Sequence, residues 1–442
     1  MIFFFAGGLS EVAAQNPDIA ALKKKANAGD AEAQYQLGIC YSEANGVELD
    51  DKEAAKWLLK AAEQDHEKAQ YEIGLCFAQG IGVQVDSLVA FNWFKKAAEK
   101  GNAGAQNEIG LCYERGNVVQ QDYEKAREWY LKSAKQGGEE SFYAEFNLGF
   151  LYSNGKGVEA DKQEAAKWYR KAAERGYPKA QFNLGWLYYF GGDGLAKDYN
   201  EAIKWFLLAA ENGHRDAINY LGLCYLEGKG VEKDYAKAIR YFKQGAEYDD
   251  MYAYYNLGRC YENGLGVSQD YGEAAKWYRE AGELGHSTAQ VNLGYLYENG
   301  LGVAKDCAEA MTWYQKSADQ GNARAQNNVG RCYYNGWGIS QDYAEAAKWY
   351  QKSAEQGNMY AQNNLGYLYE NGLGVAKDYV EAVKWYEKSA NQGNVGAQNS
   401  LGLCYERGHG VEKDRSQARI WFERAAEQGN TQAMSFLGYY YE

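Results

Sequence analysis

The side chains best equipped for chemistry in this chain are 8 cysteines, 4 histidines and 60 acidic residues, and their spacing argues against most of the chemistry they could do. A zinc helix needs two histidines at i and i+4, and a zinc ribbon needs paired C-x-x-C; neither spacing occurs. His66, His214 and His286 each stand eight residues before a glycine that recurs along the chain, where other copies carry Asn, so they read as substituted helix caps; His409 lies in a loop. Seven cysteines (Cys40, Cys76, Cys112, Cys224, Cys260, Cys332 and Cys404) stand two residues after the same glycine, where Leu151, Leu187, Leu296 and Leu368 stand in other copies. Interchange with leucine marks a small buried hydrophobe. Cysteines a whole copy apart exceed the ~7 Å that a disulfide can span. Glycine stretches such as Gly192-Asp-Gly-Leu-Ala-Lys lack the Gly-Lys-Ser/Thr and the preceding strand of a phosphate loop. The carboxylates recur as caps or as i, i+4 partners of lysine. No catalytic residue, metal or cofactor is expected.

The recurring glycine sets a register. It follows an aliphatic residue or a stand-in at Gly38, Gly74, Gly110, Gly149, Gly185, Gly222, Gly258, Gly294, Gly330, Gly366, Gly402 and Gly438, at intervals of 36 except one of 39 and one of 37. That makes eleven full units and half of another, and self-similarity at this period dictates the architecture. Twelve residues past the glycine stands Asp in ten of eleven complete units: Asp50, Asp86, Asp122, Asp161, Asp234, Asp270, Asp306, Asp342, Asp378 and Asp414, with Asp198 displaced by one insertion. Glu or Gln three residues later, as at Glu53, Glu273, Glu345 and Gln417, completes a capping box, so a helix begins at each Asp. An earlier helix begins eight residues before the glycine, where Asn102, Asn322, Asn358, Asn394, Asn430, Asp30, Asp250 or Ser141 can cap it. It ends at an Asn-Gly-x-Gly-Val loop, whose glycines admit left-handed backbone. Each unit is helix, turn, helix, turn.

Composition agrees. A chain of 442 residues exceeds the ~250 to 300 that one core organises, and 2 prolines against 51 glycines suits helices separated by glycine turns. At 46 % hydrophobic and 15 % aromatic the chain is not disordered. A net charge of -13 opposes the phosphate backbone, so no nucleic-acid partner is expected. No apolar run approaches the ~18 residues of a membrane span. Tyr stands three past the glycine in eleven of twelve units, and Trp nineteen past it at Trp57, Trp93, Trp129, Trp168, Trp277, Trp313, Trp349, Trp385 and Trp421, with Trp205 displaced and Tyr241 as replacement. An aromatic recurring at this period is a packing element on which the next unit stacks.

The run Ala-Gln-Asn-Asn-Leu-Gly-Tyr-Leu-Tyr-Glu-Asn-Gly-Leu-Gly-Val-Ala-Lys-Asp-Tyr from Ala361 to Tyr379, then Glu-Ala-Val-Lys-Trp-Tyr-Glu-Lys-Ser-Ala, resembles the Sel1-like repeat, a longer-looped relative of the tetratricopeptide repeat. The resemblance covers residues 29–442. It implies an all-α fold, an α/α solenoid wound as a right-handed superhelix with the first helices lining its concave side. It also implies a non-catalytic scaffold or adaptor for proteins, since members serve in bacterial signalling, envelope biology, host interaction and eukaryotic protein quality control. A cysteine-rich bacterial branch carries β-lactamase or penicillin-binding attributions and a disulfide in each repeat. A hydrolase of that kind is the alternative function, although this chain lacks the cysteine pattern.

With that geometry, positions three before and one, four and five after the register glycine share one stripe of the first helix, and they vary where the packing columns do not. In the fourth and fifth units the stripe is aromatic: Phe146, Phe150, Phe182, Trp186, Tyr189 and Phe190. From the seventh unit it reads Tyr255, Arg259, Glu262; Tyr295, Glu298; Asn327, Arg331, Tyr334; Asn363, Tyr367, Glu370. Aromatic and arginine side chains anchor interfaces, and asparagine amides can satisfy an extended peptide backbone. The expectation is a protein or peptide partner held at a hydrophobic zone near 146–190 and a polar aromatic zone near 255–370. The competing reading of the first zone is repaired packing, because register breaks at 138–142 and 191–194 flank it. Tyr248, Tyr252 and Tyr254 form a further off-register cluster, read as core filling.

Residues 1–15 are a short apolar segment without the basic residues of a signal peptide, read as a signal remnant. Residues 16–28 read as a capping helix with Asn16 at its cap and Pro17 in its first turn, and 29–442 as the repeats, the last of them incomplete. A monomer is expected. Eight unpaired cysteines favour the reducing cytoplasm, with export to the periplasm or medium as the alternative.

Overall fold

The structure, a computed structural model, describes residues 18–138 and 140–441. Among them are 24 α-helices, from Ile19–Asn27 to Thr431–Tyr441, and no strand beyond an isolated bridge between Gly192 and Leu195. The helices pair as helix-turn-helix repeats, the expected all-α solenoid. The chain divides into two compact units, Met1–Glu232 and Lys233–Glu442, each an array of such hairpins.

Every second helix starts where the Asp column places it: all eleven aspartates, Asp198 included, accept a hydrogen bond from a backbone N–H two or three residues on. Asp30, Asn102, Asp250, Asn322, Asn358, Asn394 and Asn430 cap first helices in the same way, and His66 and His286 do so through Nδ1 at 3.2 and 3.1 Å. Three expectations need correcting. Ser141 is the first residue of its helix, Ser141–Asn154, and its hydroxyl donates to the Ser133 carbonyl at 2.9 Å, because the inserted residues before it move the helix start. His214 makes no capping bond; its ring lies flat on Phe182, centroids 4.4 Å apart. The N-terminal helix Ile19–Asn27 is capped by Asp18, which accepts from the Ala21 amide at 3.0 Å, rather than by Asn16. Asn16, Pro17 and the 1–15 segment lie outside the described residues.

The repeats are joined by close approach, by stacking and by an amide ladder. In the Gly-x-Gly loop, Gly300 ends the first helix at φ +68°, and Gly302 sits so near the preceding second helix that a Cβ there would stand 2.2 Å from the Tyr271 carbonyl carbon. The register glycine serves a different approach, between the two helices of one hairpin. A Cβ would stand 2.5 Å from the Tyr130 ring at Gly110, 2.5 Å from Tyr278 at Gly258 and 2.6 Å from Tyr350 at Gly330.

The tryptophan column packs backward into the preceding repeat. Trp205 joins the Ala165–Leu187 core, Trp313 the Ala274–Leu296 core and Trp385 the Ala346–Leu368 core. The outer face of the column is covered by lysine three residues on, whose ammonium stands over the ring at 3.8 Å for Lys132 on Trp129 and 4.0 Å for Lys352 on Trp349. Glutamines four before the register glycine, present in eight of the twelve units, supply the ladder. Gln326 Nε2 donates to the Ala318 carbonyl at 3.3 Å while its Oε1 accepts from Gln356 at 2.7 Å. The same pairing joins Gln34 to Gln64, Gln106 to Gln136, Gln290 to Gln320, Gln362 to Gln392 and Gln398 to Gln428. At the first register break the amide pair becomes an ion pair: Glu145, buried, faces Arg175 Nε at 3.3 Å, and Arg175 Nη1 also donates to the Gly137 and Gly138 carbonyls of the inserted loop.

Candidate partner-binding face

The stripe on the first helices divides by what its side chains touch. The glutamates four past the register glycine belong to packing. Tyr278 donates to Glu262 at 2.5 Å, Tyr314 to Glu298 at 2.8 Å and Tyr386 to Glu370 at 2.7 Å. Burial and the facing carboxylates hold these phenols far above their ordinary pKa, so they stay protonated donors.

In the 146–190 zone most rings face inward. Phe146 packs against Tyr169 and Tyr177 with centroids 5.6 and 5.2 Å away, and Phe182 lies between His214 and Phe206. Phe150 borders the Ala126–Leu151 core with the Lys156 ammonium 5.0 Å from its centroid. Tyr189 is buried and accepts from Lys229 Nζ at 2.9 Å; burial pushes its hydroxyl up to about 12. Trp186 and Phe190 differ: both are exposed, their rings 4.6 Å apart, and Trp186 Nε1 donates to the Tyr220 hydroxyl at 3.2 Å.

In the 255–370 zone, Tyr255 stacks on His286 at 4.3 Å with the Arg259 guanidinium over its ring, and Tyr295 is exposed. Asn327 is buried and accepts from Asn364 Nδ2 at 3.2 Å. Arg331 donates to Glu298 at 2.9 Å and also lies over Trp337. Tyr334 packs edge-on against Tyr367, ring centroids 6.3 Å apart. Arg331, Tyr334, Asn363 and Tyr367 come together around a groove of about 470 Å³, whereas Tyr255, Arg259, Tyr295 and Asn327 are not among its lining residues.

Sequence reasoning missed the groove's other wall. Asn364, Gly396, Asn399, Asn430 and Gln432 also line it. Asn399 is the eleventh repeat's member of the stripe position held by Asn327 and Asn363, and carrying that column one repeat further would have found it. Also missed were Glu72 and Glu108, two residues before their register glycines on partly buried ground. Burial, then repulsion from Glu140 and Glu43, raises the Glu72 carboxyl to about 7, and burial raises Glu108.

The arrangement offers hydrogen bonds and ring faces rather than a nucleophile with its base. Six of the eight cysteines are buried and all eight are free thiols; burial pushes Cys76, Cys224, Cys332 and Cys404 up to about 12. Among the described residues no group of three or more His, Cys, Asp or Glu is placed to hold a metal ion, and no helix is long and apolar enough to cross a membrane.

The Sel1 repeat family matches eleven successive segments: residues 31–66, 67–102, 103–138, 142–177, 178–214, 215–249, 252–286, 287–322, 323–358, 360–394 and 395–430. Among curated proteins, none matches. The chain is similar to the solved structure of a protective antigen present in uropathogenic Escherichia coli strains, which displays the SLR fold: 37% identity, 95% of this chain and 89% of that one covered, TM-score 0.73. A Sel1 repeat protein from Oxalobacter formigenes is similar at 29% identity over 79% of this chain and 90% of that one, with a TM-score of 0.57. With its repeats matched almost end to end, the chain belongs to the Sel1 repeat family, whose solenoids generally mediate protein–protein interaction and are typically non-enzymatic.

Proposed function

We propose that this protein is a non-catalytic scaffold that binds a protein or peptide segment along the face of its first helices, the concave side of a tetratricopeptide-like solenoid. The observation that carries this reading is the groove of the second unit. Tyr334, Asn363 and Tyr367, which vary between repeats, converge there, while the recurring glycine, tyrosine and tryptophan columns are largely consumed by packing. Phenol rings supply contact area at little entropic cost, and amides offer a donor and an acceptor each to an extended backbone. Trp186 and Phe190 provide a second, apolar contact in the first unit.

The test is direct. A random dodecapeptide display library is panned on the purified chain, and selected peptides are compared on wild type and on a Tyr334→Ala, Tyr367→Ala double variant of unchanged thermal stability. Loss of binding by ten-fold or more supports the reading, and equal binding to both proteins removes it.

A further inference from the structure

We propose that the groove of the second unit selects an uncharged, amide-bearing segment, rich in Asn and Gln, and that Asn399 is the side chain that reads it. This rests on the reading of the first-helix face given above.

The first observation is a buried amide that lacks a partner its counterparts have. In two places the asparagine two before a register glycine donates to the asparagine three before the preceding one: Asn147 Nδ2 to Asn107 Oδ1 at 2.9 Å, and Asn364 Nδ2 to Asn327 Oδ1 at 3.2 Å. By the same rule Asn399 Oδ1 would accept from residue 436, which is Phe436 and has no donor. Asn399 spends its own Nδ2 on Gln432 Oε1 at 3.0 Å, and its Oδ1 is buried with no hydrogen-bond partner among the described residues. Asn399 is 6% exposed, so its carbonyl is an acceptor that bulk water does not satisfy. Asn399 is itself among the residues that line the groove.

The second observation is room. Six residues before the register glycine many repeats carry a side chain, such as Lys68, Lys179, Arg324 or Tyr360, but the eleventh, like the third with Gly104, carries a glycine, Gly396. A Cβ there would stand 3.3 Å from Asn394 Oδ1 and 3.6 Å from Asn363 Oδ1, so the bare glycine leaves depth beside the amides.

The third observation is charge. Among the described residues lining the groove, the ionised side chain is Arg331, and Glu298 at 2.9 Å already answers it. A carboxylate or ammonium brought into this site would be desolvated without a counter-charge, which costs several-fold more than an amide that brings its own donor and acceptor. A primary amide can donate to Asn399 Oδ1 and accept from a neighbouring amide N–H.

The experiment uses the full chain and three capped, fluorescein-labelled decapeptides of one backbone pattern: alternating Asn and Gln, alternating Asp and Glu, and Lys throughout, each spaced by Gly. The expected result is that the amide peptide binds at least ten-fold tighter than either charged peptide by fluorescence anisotropy. Asn399→Leu should remove that preference. Gly396→Leu, at an exposed helical position, should fill the groove and abolish binding while the helical circular-dichroism signal is kept, which keeps the test decisive if Asn399→Leu fails to fold. A charged peptide that binds equally or more tightly, and is weakened by Gly396→Leu, overturns the amide selectivity and leaves the first-helix face standing. Absence of binding by all three peptides, with display-selected peptides also indifferent to Tyr334→Ala and Tyr367→Ala, overturns both.

Discussion

The ring of Tyr314 lies so close over Gly294 that a Cβ on that glycine would stand 2.6 Å from the ring carbon Cε1. Tyr314 is fully buried and its hydroxyl is held by Glu298 at 2.8 Å, so the ring has nowhere to retreat. Gly294→Ala gains about 1 kcal/mol of helix propensity and loses about 1–3 kcal/mol to overpacking, with a net destabilisation of up to about 2 kcal/mol. At Gly38 the facing atom is Cγ of Leu58, 2.8 Å away on an aliphatic side chain with no hydrogen bond to anchor it. Gly38→Ala should therefore cost less. Urea unfolding followed by circular dichroism checks both, and a Gly38→Ala loss as large as that of Gly294→Ala would show that the anchored ring is not the reason.

The amide ladder couples neighbouring repeats. Gln326→Leu removes both the bond to Ala318 and the bond from Gln356, leaving the buried Ala318 carbonyl without that donor, at a cost of about 1–2 kcal/mol. Because repeat stability is a sum of local and nearest-neighbour contributions, the loss falls on the coupling between repeats. The urea transition should broaden as well as move, with a lower m-value. A transition that shifts without broadening would assign the ladder to local helix stability instead.

Glu145 and Arg175 fill the two ladder positions that are both glutamine in six other repeats. Arg175→Gln strands a carboxylate that is 2% exposed and should cost about 3 kcal/mol, whereas the double change Glu145→Gln, Arg175→Gln rebuilds the ordinary amide pair and should recover most of it. Burial raises the Glu145 pKa and Arg175 opposes that rise. Loss of Arg175 raises it further, and a raised carboxylate adds stability below its unfolded value near 4.5 that disappears as pH climbs through its folded value. The single variant should thus be relatively more stable in acid, and the double variant should not show this.

Legibility followed periodicity. The Asp caps, the glycine loops and the tryptophan column repeat every 36 residues because each does the same job in every hairpin, so one sequence shows the fold. The face was harder. Glu262, Glu298 and Glu370 lie on the outward stripe yet are held by Tyr278, Tyr314 and Tyr386 sixteen residues on, a link visible only once the hairpin is closed. Ser141 failed as a cap because an insertion moves a helix start without changing residue types. The gap at Asn399 depends on a donor missing from Phe436, one repeat away, and no local pattern carries that.

Glu72 gives the first unit a pH response. Its carboxyl, raised to about 7 by burial and by Glu140 and Glu43, contributes stability fully present below the unfolded value near 4.5 and lost as pH rises through about 7. Glu72 is half-buried, so water screens part of the effect, and about 1–2 kcal/mol is expected across that window. Glu72→Gln should match wild type near pH 4.5 and exceed it in melting temperature at pH 8. A gap that stays constant from pH 4.5 to 8 would refute the assignment.

Trp186 and Phe182 separate binding from packing in the aromatic zone. Phe182 is wedged between His214 and Phe206, and Phe182→Ala should cost about 2–3 kcal/mol through the cavity it leaves. Trp186 is 36% exposed and holds one hydrogen bond, to Tyr220, so Trp186→Ala should cost about 1 kcal/mol while lowering affinity for any ligand that spans the first unit. The two variants are compared by thermal melts and by binding of display-selected peptides. Equal losses of stability, with peptide binding untouched by Trp186→Ala, would mean that the whole zone repairs the packing around the breaks at 138–142 and 191–194, and that the partner is read by the groove of the second unit alone.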